Sequence, residues 1–380
     1  MAATASPVTP TVLSWALAED GRPLNEIAEA AKVTEDDLDA WANGAAAPTR
    51  GQVTTLARVL RRPRALFFMP APPSTASLPP SFRHPPGVAR SVSPKVRRAG
   101  RDSRRIQQAV AWARREEDPP AVPRVSSSTT SPGDAASTVR EWLGVNIDDQ
   151  RAWKDERAAL RTWREVLEQH GVLVFALQLG SGEVRGFSTW DDRAPLVVVN
   201  TSSVQPAARI FTLAHELGHL VTRQDATCLD PSDADPLDGI AIERWCEEFA
   251  AALLMPDELV DRVAAEAGIA PRSATLETVK LLQRRARVSG RAAALRLITR
   301  GWAAPTLYAL VVRTFVPKPA SSSGQPVSPP RHEARLRAYG PNVIRTVLDA
   351  LPTRDALSVL QLEVPDARRL ADALPELRVP

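Results

Sequence analysis

Short apolar stretches at helical spacing, separated by turn residues, recur through the first 68 residues of the chain. Apolar positions that repeat every three to four residues mark one face of a helix. The pattern predicts four helices, at residues 11–19, 24–31, 34–42 and 52–60. Thr34 has the side chain of an N-cap, and Gly44 is suited to end the third helix. Residues 1–68 are therefore expected to form a small helical bundle.

Two runs rich in β-branched and aromatic residues interrupt the helical pattern in the middle of the chain. They are "VLVFALQL" at residues 172–179 and "APLVVVN" at residues 194–200, and both predict strands. Helical patterns precede them at residues 138–145 and 151–171. The expected fold class is α+β, mostly helical, with a small sheet.

The clearest amphipathic pattern is "PAARIFTLAHELGHLVT" at residues 206–222, which predicts a long helix. Proline is tolerated in the first turn of a helix, where its missing N–H is not needed. One apolar stripe runs along the predicted helix through Ile210, Leu213, Leu217 and Leu220. A second helix is predicted over "ERWCEEFAAALLMP" at residues 243–256.

Proline-rich clusters at residues 69–87, 118–134 and 316–330 divide the chain. Such compositions are typical of extended linkers. They predict four parts: the bundle at 1–68, a Pro-rich and basic linker with a helix at 69–135, a central domain at 136–315, and a linker with a C-terminal helical region at 316–380.

The composition indicates a cytoplasmic protein. No apolar run reaches the roughly 18 residues of a membrane span, and the N-terminus does not resemble a secretory signal. The two cysteines, Cys228 and Cys246, are too few for a disulfide framework. Cys246 is expected in the core, whereas Cys228 belongs to an acidic loop predicted at residues 223–239.

The long predicted helix carries the candidate chemistry. His215 and His219 are four residues apart, a spacing that places two imidazoles on one helical face where they can bind a single zinc ion. Glu216 lies about 100° around the helix, placed to accept a proton from a zinc-bound water rather than to bind the ion. Gly218 costs roughly 1 kcal/mol inside a helix, which indicates that another segment passes close to it. The alternative interpretation is a helix with two hydrogen-bonded histidines and no metal.

A catalytic zinc ion commonly has three protein ligands and one open position. The second predicted helix presents Glu243 and Glu247 four residues apart on one face. Either carboxylate can bind the ion while the other supports a histidine through its second ring nitrogen. The residues alone leave this choice open.

The stretches "RIFTLAHELGHL" and "ERWCEEFAAALLMP" resemble the ImmA/IrrE family of bacterial zinc metallopeptidases. The resemblance implies a zincin-like, specifically gluzincin-like, domain with His215, His219 and Glu243 as zinc ligands and Glu216 as general base. Glu247 departs from the family, which commonly has asparagine there. The resemblance also implies a protein substrate, typically a DNA-binding repressor, cleaved in a stress or mobile-element response.

The segment "LNEIAEAAKVTEDDLDAWANGAAAPT" resembles the Xre-type helix-turn-helix family, which implies DNA contact. Its presumed recognition helix carries four carboxylates, Glu35, Asp36, Asp37 and Asp39, which phosphate would repel. A bundle that holds a protein partner is the alternative. The basic segment at residues 82–105 is a second candidate for contact with nucleic acid.

Three functional hypotheses follow from these resemblances. The first is a zinc-dependent endopeptidase that cleaves a specific protein partner. The second is an Xre-type transcriptional regulator whose metal domain senses or scaffolds, and the third is a partner-binding protein that holds its partner without cutting it. The complete ligand set together with Glu216 favours the first, because neither of the others needs a base beside the metal.

Overall fold

A computed structural model describes residues 6–73, 93–118, 120–180, 184–202, 205–223, 236–315 and 329–373. These residues are mostly helical and include one three-stranded sheet, which confirms the α+β class. They fall into two compact units, one within residues 1–78 and 89–101 and the other within residues 79–88 and 102–380. No helix of the described ranges is long and apolar enough to cross a membrane.

The first unit contains the four helices that the sequence predicts. They are α1 (Pro10–Asp20), α2 (Leu24–Ala31), α3 (Glu35–Ala42) and α4 (Arg50–Val59), followed by a 3₁₀ turn at Arg64–Phe68. Thr34 caps α3 as expected, since its hydroxyl accepts a hydrogen bond from the Asp37 N–H and Asp37 bonds back to the Thr34 N–H. Leu38 and Trp41 of α3 are buried in the core of the bundle.

Asp20 lies at the centre of an ion-pair cluster in this unit, and only 1% of its surface is exposed. Arg22 Nε lies 2.5 Å from its Oδ1, and Arg98 Nη2 lies 3.2 Å from its Oδ2. Arg101 adds a hydrogen bond of 2.7 Å to the Glu19 carbonyl. Burial opposes ionisation of Asp20, but Arg22 and Arg98 outweigh it and hold its pKa below the usual value. Part of the basic segment therefore binds the bundle's own carboxylate.

The second unit holds the sheet and the remaining helices. Helix α5 (Pro94–Ala113) contributes its residues up to Arg101 to the first unit and the rest to the second. The other elements are α6 (Pro132–Leu143), α7 (Ile147–Ala152), α8 (Glu156–Gln169), β1 (Leu173–Leu177), β2 (Gly186–Thr189), β3 (Leu196–Asn200), α9 (Pro206–Thr222), α10 (Pro236–Leu254), α11 (Asp257–Glu266), α12 (Leu276–Ala286), α13 (Gly290–Thr299), α14 (Thr306–Thr314), α15 (Arg331–Tyr339), α16 (Pro341–Ala350), α17 (Thr353–Leu360) and α18 (Val364–Ala373).

The helix predicted over residues 151–171 is two helices in the structure. Helix α7 ends at Ala152, and α8 begins at Glu156. Asp155 starts the second helix because its carboxylate accepts a hydrogen bond of 2.8 Å from the Ala158 N–H. The spacing of apolar residues does not reveal such a break when the capping residue lies on the polar face of the helix.

The sheet has the order β1-β3-β2, with β1 parallel and β2 antiparallel to β3. Strands β1 and β3 are the two that the sequence predicts. Strand β2 was not predicted, because "GFST" has four residues, only one of which is a large apolar side chain. Helix α9 packs against β2 and β3.

Helices α9 and α10 pack closely at Gly218. A Cβ atom at this glycine would lie 3.1 Å from both Cys246 Sγ and Phe249 Cδ1. The close approach that Gly218 predicts is thus confirmed. Cys246 is fully buried between the two helices, as expected. Helix α10 begins at Pro236, earlier than the predicted start at residue 243.

Several residues of the predicted linker at 69–135 pack against α9 and α10. Val122 is 6% exposed and belongs to the main core. The Val125 N–H bonds to the Val221 carbonyl at 2.9 Å, and Trp245 Nε1 donates to the Thr130 carbonyl at 3.0 Å. The proline content of this stretch suggested an extended linker, but these residues are packed against α9 and α10. The four predicted domain boundaries stay a prediction.

The region after residue 328 is helical from Arg331 to Ala373, as predicted. It packs on the sheet, since the ring of Tyr339 lies edge-on to Phe175 of β1 at a centroid distance of 4.9 Å. Tyr339 is 3% exposed. These helices therefore extend the core of the second unit.

Candidate metal centre

Three side chains converge between α9 and α10. His215 Nε2 and His219 Nε2 lie 3.3 Å apart, as the four-residue spacing on one helix requires. Glu243 of α10 places Oε2 at 3.2 Å from His215 Nε2 and Oε1 at 3.3 Å from His219 Nε2. Among the described residues, these three form a group with the ligand types and spacing of a metal site.

The spacing of this group fits a tetrahedral zinc site. Zinc binds imidazole nitrogen and carboxylate oxygen at about 2.0–2.2 Å, so neighbouring ligand atoms of a tetrahedron lie about 3.3–3.6 Å apart. The observed separations are 3.2–3.3 Å. His215 and His219 are buried, whereas 43% of the Glu243 side chain is exposed. Solvent therefore reaches the α10 side of the group.

The electrostatics of the group favour a bound cation. Burial opposes ionisation of Glu243, but hydrogen bonds from His215 and His219 outweigh it, and its pKa lies far below the usual value. Burial also lowers the pKa of His219, but Cys246, Glu243 and Glu216 outweigh it and raise that pKa well above the usual value. Glu243 and Glu216 thus stabilise positive charge beside the imidazoles. A divalent metal ion would be stabilised in the same way.

Glu216 lies beside this group and outside its set of convergent ligand atoms. It is 1% exposed, so its carboxylate needs hydrogen-bond donors to remain ionised in the interior. Ser188 of β2 supplies one, since its hydroxyl donates to Glu216 Oε2 at 2.9 Å. Ser188 was not identified from the sequence, because no local pattern relates a four-residue strand to a helix that begins only at Pro206.

Strand β2 reaches Glu216 because Gly186 allows a close approach to α9. A Cβ atom at Gly186 would lie 2.6 Å from Thr212 Cγ2 and 2.6 Å from the Val198 carbonyl oxygen. It would also lie 3.5 Å from Glu216 Cγ. Any larger residue at position 186 would therefore push β2 away from the helix that carries the site.

The other candidates near the site lie outside the converging group. Glu247 is exposed, and the group contains Glu243 instead. Cys228 and the aspartates of the predicted acidic loop before residue 236 lie outside the described residues. Cys246 contacts His219 from α10, and burial raises the pKa of its thiol.

Residues 167–297 match the family model of the IrrE N-terminal-like domain, a peptidase family. The matched range contains all three residues of the converging group and Glu216. Residues 167–297 are therefore similar to the domain of this peptidase family. The family is one of metallopeptidases, which implies a metal, and the ligand types present are those of zinc.

Two curated relatives of this family resemble the same part of the chain. The radiation response metalloprotease IrrE of Deinococcus deserti is 36% identical over 125 residues, which are 32% of this chain and 42% of the relative. The protein of the same name from Deinococcus radiodurans is 29% identical over 137 residues, or 35% of this chain and 40% of the relative. The chain thus spans about two fifths of the length of these relatives.

The N-terminal bundle lies outside the family match, which begins at residue 167. Its helices follow the predicted pattern, with a three-residue turn between α2 and α3. Its assignment as an Xre-type helix-turn-helix, and any contact with DNA, stay predictions.

Proposed function

We propose that this protein is a zinc-dependent endopeptidase that hydrolyses a peptide bond in a specific protein partner. The observation that carries the proposal is the convergence of two imidazole nitrogens and one carboxylate at 3.2–3.3 Å beside a buried glutamate. Similarity to a metallopeptidase family supports the same chemistry.

In this proposal His215 and His219 bind the ion through Nε2, and Glu243 binds it through its carboxylate. The buried, fixed imidazoles hold the two ligand atoms at tetrahedral spacing, while the exposed side of Glu243 leaves room for a substrate. A zinc ion, when bound, acts as a Lewis acid on the peptide carbonyl and on water.

Glu216 acts as the general base. Its carboxylate takes the proton of the attacking water and then passes it to the nitrogen of the leaving amine. The position of Glu216, one residue after a ligand but directed around the helix to Ser188, suits proton transfer better than ligation.

We further propose that the substrate is a DNA-binding repressor, cut in a bacterial stress or mobile-element response. Support comes from the resemblance to the ImmA/IrrE family and from the names of the two relatives, both of which are radiation response metalloproteases. A cytoplasmic location is part of the same proposal.

The test is incubation of the purified, zinc-loaded protein with the DNA-binding products of neighbouring genes. We expect one of them to be cut at a single site, and we expect a zinc chelator to stop the cleavage and added zinc to restore it. Glu248→Gln, an exposed carboxylate on α10, serves as a matched control and should cut normally. A stable complex that the zinc-loaded protein never cuts would instead support the partner-binding alternative.

A further inference from the structure

The proposed function does not use Ser188, yet its hydroxyl is one of the groups that contact the general base. Ser188 lies on β2, is 6% exposed, and donates to Glu216 Oε2 at 2.9 Å. Burial of a hydroxyl costs free energy unless the hydroxyl is hydrogen-bonded, and here its partner is the carboxylate of the proposed base.

The position of Ser188 is fixed by its strand. Ser188 is paired with Val197 in the antiparallel register of β2 and β3. The next carbonyl, that of Thr189, accepts a hydrogen bond of 3.0 Å from Gln107 Nε2, and the same nitrogen donates to the Ala194 carbonyl at 2.9 Å. Gln107 is itself 2% exposed. The hydroxyl therefore projects from a braced strand.

The strand is also held against α9. Gly186 brings β2 so close that a Cβ atom there would lie 2.6 Å from Thr212 Cγ2. Thr212 is one helical turn before Glu216 on the same face. The distance between the Ser188 hydroxyl and the Glu216 carboxylate is thus set by the packing of the strand on the helix.

A general base must direct a lone pair to the proton that it removes, within hydrogen-bond distance. A glutamate has three side-chain torsions, and a misplacement of about 1 Å in such a group lowers rates by roughly 100-fold. A donor that is fixed to a neighbouring strand and bonds one carboxylate oxygen restricts the last of these torsions. The other torsions are restricted by burial of the side chain.

We propose that Ser188 is a positioning residue, which orients the carboxylate of Glu216 for proton transfer. The expected effect on rate rests on the proposed peptidase function. The hydrogen bond between Ser188 and Glu216 is observed independently of that function. Ser188 acts through Glu216, so its loss should lower kcat and leave substrate affinity and zinc binding unchanged.

The kinetic test compares Ser188→Ala with Ser188→Thr in the zinc-loaded full chain. The alanine variant should lower kcat about 10- to 100-fold with KM within about twofold of wild type. The threonine variant keeps a hydroxyl and should recover kcat to within a few fold. Ser137→Ala is the matched control, since this exposed serine lies on α6 and its hydroxyl donates to the Gly133 carbonyl of the same helix at 3.2 Å, and it should retain near wild-type kcat.

A second measurement does not depend on activity. The carboxylate stretch in an infrared difference spectrum of Ser188→Ala against wild type should show a shifted band that is missing when the same comparison is made in the Glu216→Gln background. Zinc content and thermal unfolding should match those of wild type, which excludes misfolding as the cause of a lower kcat.

The possible results separate this inference from the function on which it rests. Wild-type kcat in Ser188→Ala, or an equal loss in Ser137→Ala, would overturn the positioning role while the peptidase function stands. An unshifted carboxylate band would overturn it as well. A wild-type protein that cuts no partner would overturn both the peptidase function and the role of Ser188 in it.

Discussion

At the scale of single residues, the choice between Glu243 and Glu247 decides the ligand set. Both lie on one face of α10, and the helical period does not distinguish them. The structure does, because Glu243 approaches both imidazoles within 3.3 Å and Glu247 is exposed. What separates them is where α10 crosses α9, a tertiary property, and Gly218 lies at the close contact of the two helices.

Substitution of the third ligand should therefore remove the metal. Glu243→Gln should weaken zinc binding by at least about 100-fold, more than the loss of an outer-shell partner, because the one anionic ligand of the three is replaced by a neutral amide. Zinc per chain, measured by mass spectrometry of the metal after dialysis, checks this. Glu247→Gln is the matched control and should keep about one zinc per chain. The opposite pattern would mean that Glu247 is the ligand.

At the scale of elements, the helices predicted most accurately from the sequence are those with both an apolar stripe and a residue that favours a helix start. Helix α9 runs from Pro206 to Thr222, as its proline and its apolar stripe predict. Strand β2 was missed because it is held by its pairing with β3 and by its contact with α9, and neither is visible in four residues. Ser188 was missed with it. The site residues on α9 were predictable because a single helix brings them together. The groups that contact them, Glu243 of α10 and Ser188 of β2, come from other elements, so these contacts were not predictable from local sequence.

Packing of β2 on α9 should be sensitive to the size of residue 186. Gly186→Ala places a methyl group 2.6 Å from the Val198 carbonyl, which is part of the backbone and cannot rotate away. Overpacking of this kind typically costs about 1–3 kcal/mol in the free energy of unfolding. Chemical denaturation measures it. Gly144→Ala is an instructive control, because nothing lies within 4 Å of its Cβ position and only its positive φ opposes the change.

The ion-pair cluster around Asp20 should make the first unit sensitive to acid. Arginines lower the folded pKa of Asp20, so its charge contributes stability that is complete above the unfolded value of about 3.9 and is lost as the pH falls through the folded value. Asp20→Asn should lower the free energy of unfolding by about 1–3 kcal/mol at pH 7. The difference should shrink as the pH falls below about 4.

Hydrogen exchange of α1 and α4 at several pH values checks this prediction. The control is Glu19→Gln, whose carboxylate lies 3.9 Å from Arg62 and is 36% exposed. Exposed pairs contribute about 0–1 kcal/mol, so this change should have little effect. A destabilisation by Asp20→Asn that is equally large at pH 3 and pH 7 would show that the charge of Asp20 is not its source.

At the scale of the whole molecule, the question is whether the first unit reads DNA. Glu35, Asp36 and Asp39 of α3 are exposed, while Asp37 is used to cap the helix. Carboxylates in the first turn also favour the helix dipole, so they have a structural role apart from any partner. Arg98 and Arg101, which the basic segment offers to phosphate, already contact the end of α1. Among the described residues of the first unit, these carboxylates and ion pairs therefore oppose tight contact with a duplex.

We expect the full chain to bind a DNA duplex weakly and without sequence preference. Replacement of Glu35, Asp36 and Asp39 by their amides should strengthen that binding by up to about tenfold at low salt, because three negative charges near phosphate are removed. A duplex titration at two salt concentrations measures both. Tight, sequence-specific binding by the unaltered chain would favour the transcriptional-regulator hypothesis.

The central claim, that this is a zinc peptidase with Glu216 as its base, is tested most directly by measuring zinc content and cleavage rate together in Glu216→Gln. The carboxylate is outside the converging ligand group, so the variant should keep about one zinc per chain and its thermal stability. It should cut the partner about 100- to 10,000-fold more slowly, as the loss of general base catalysis requires. Cleavage at the wild-type rate by a variant that retains its zinc would contradict the account.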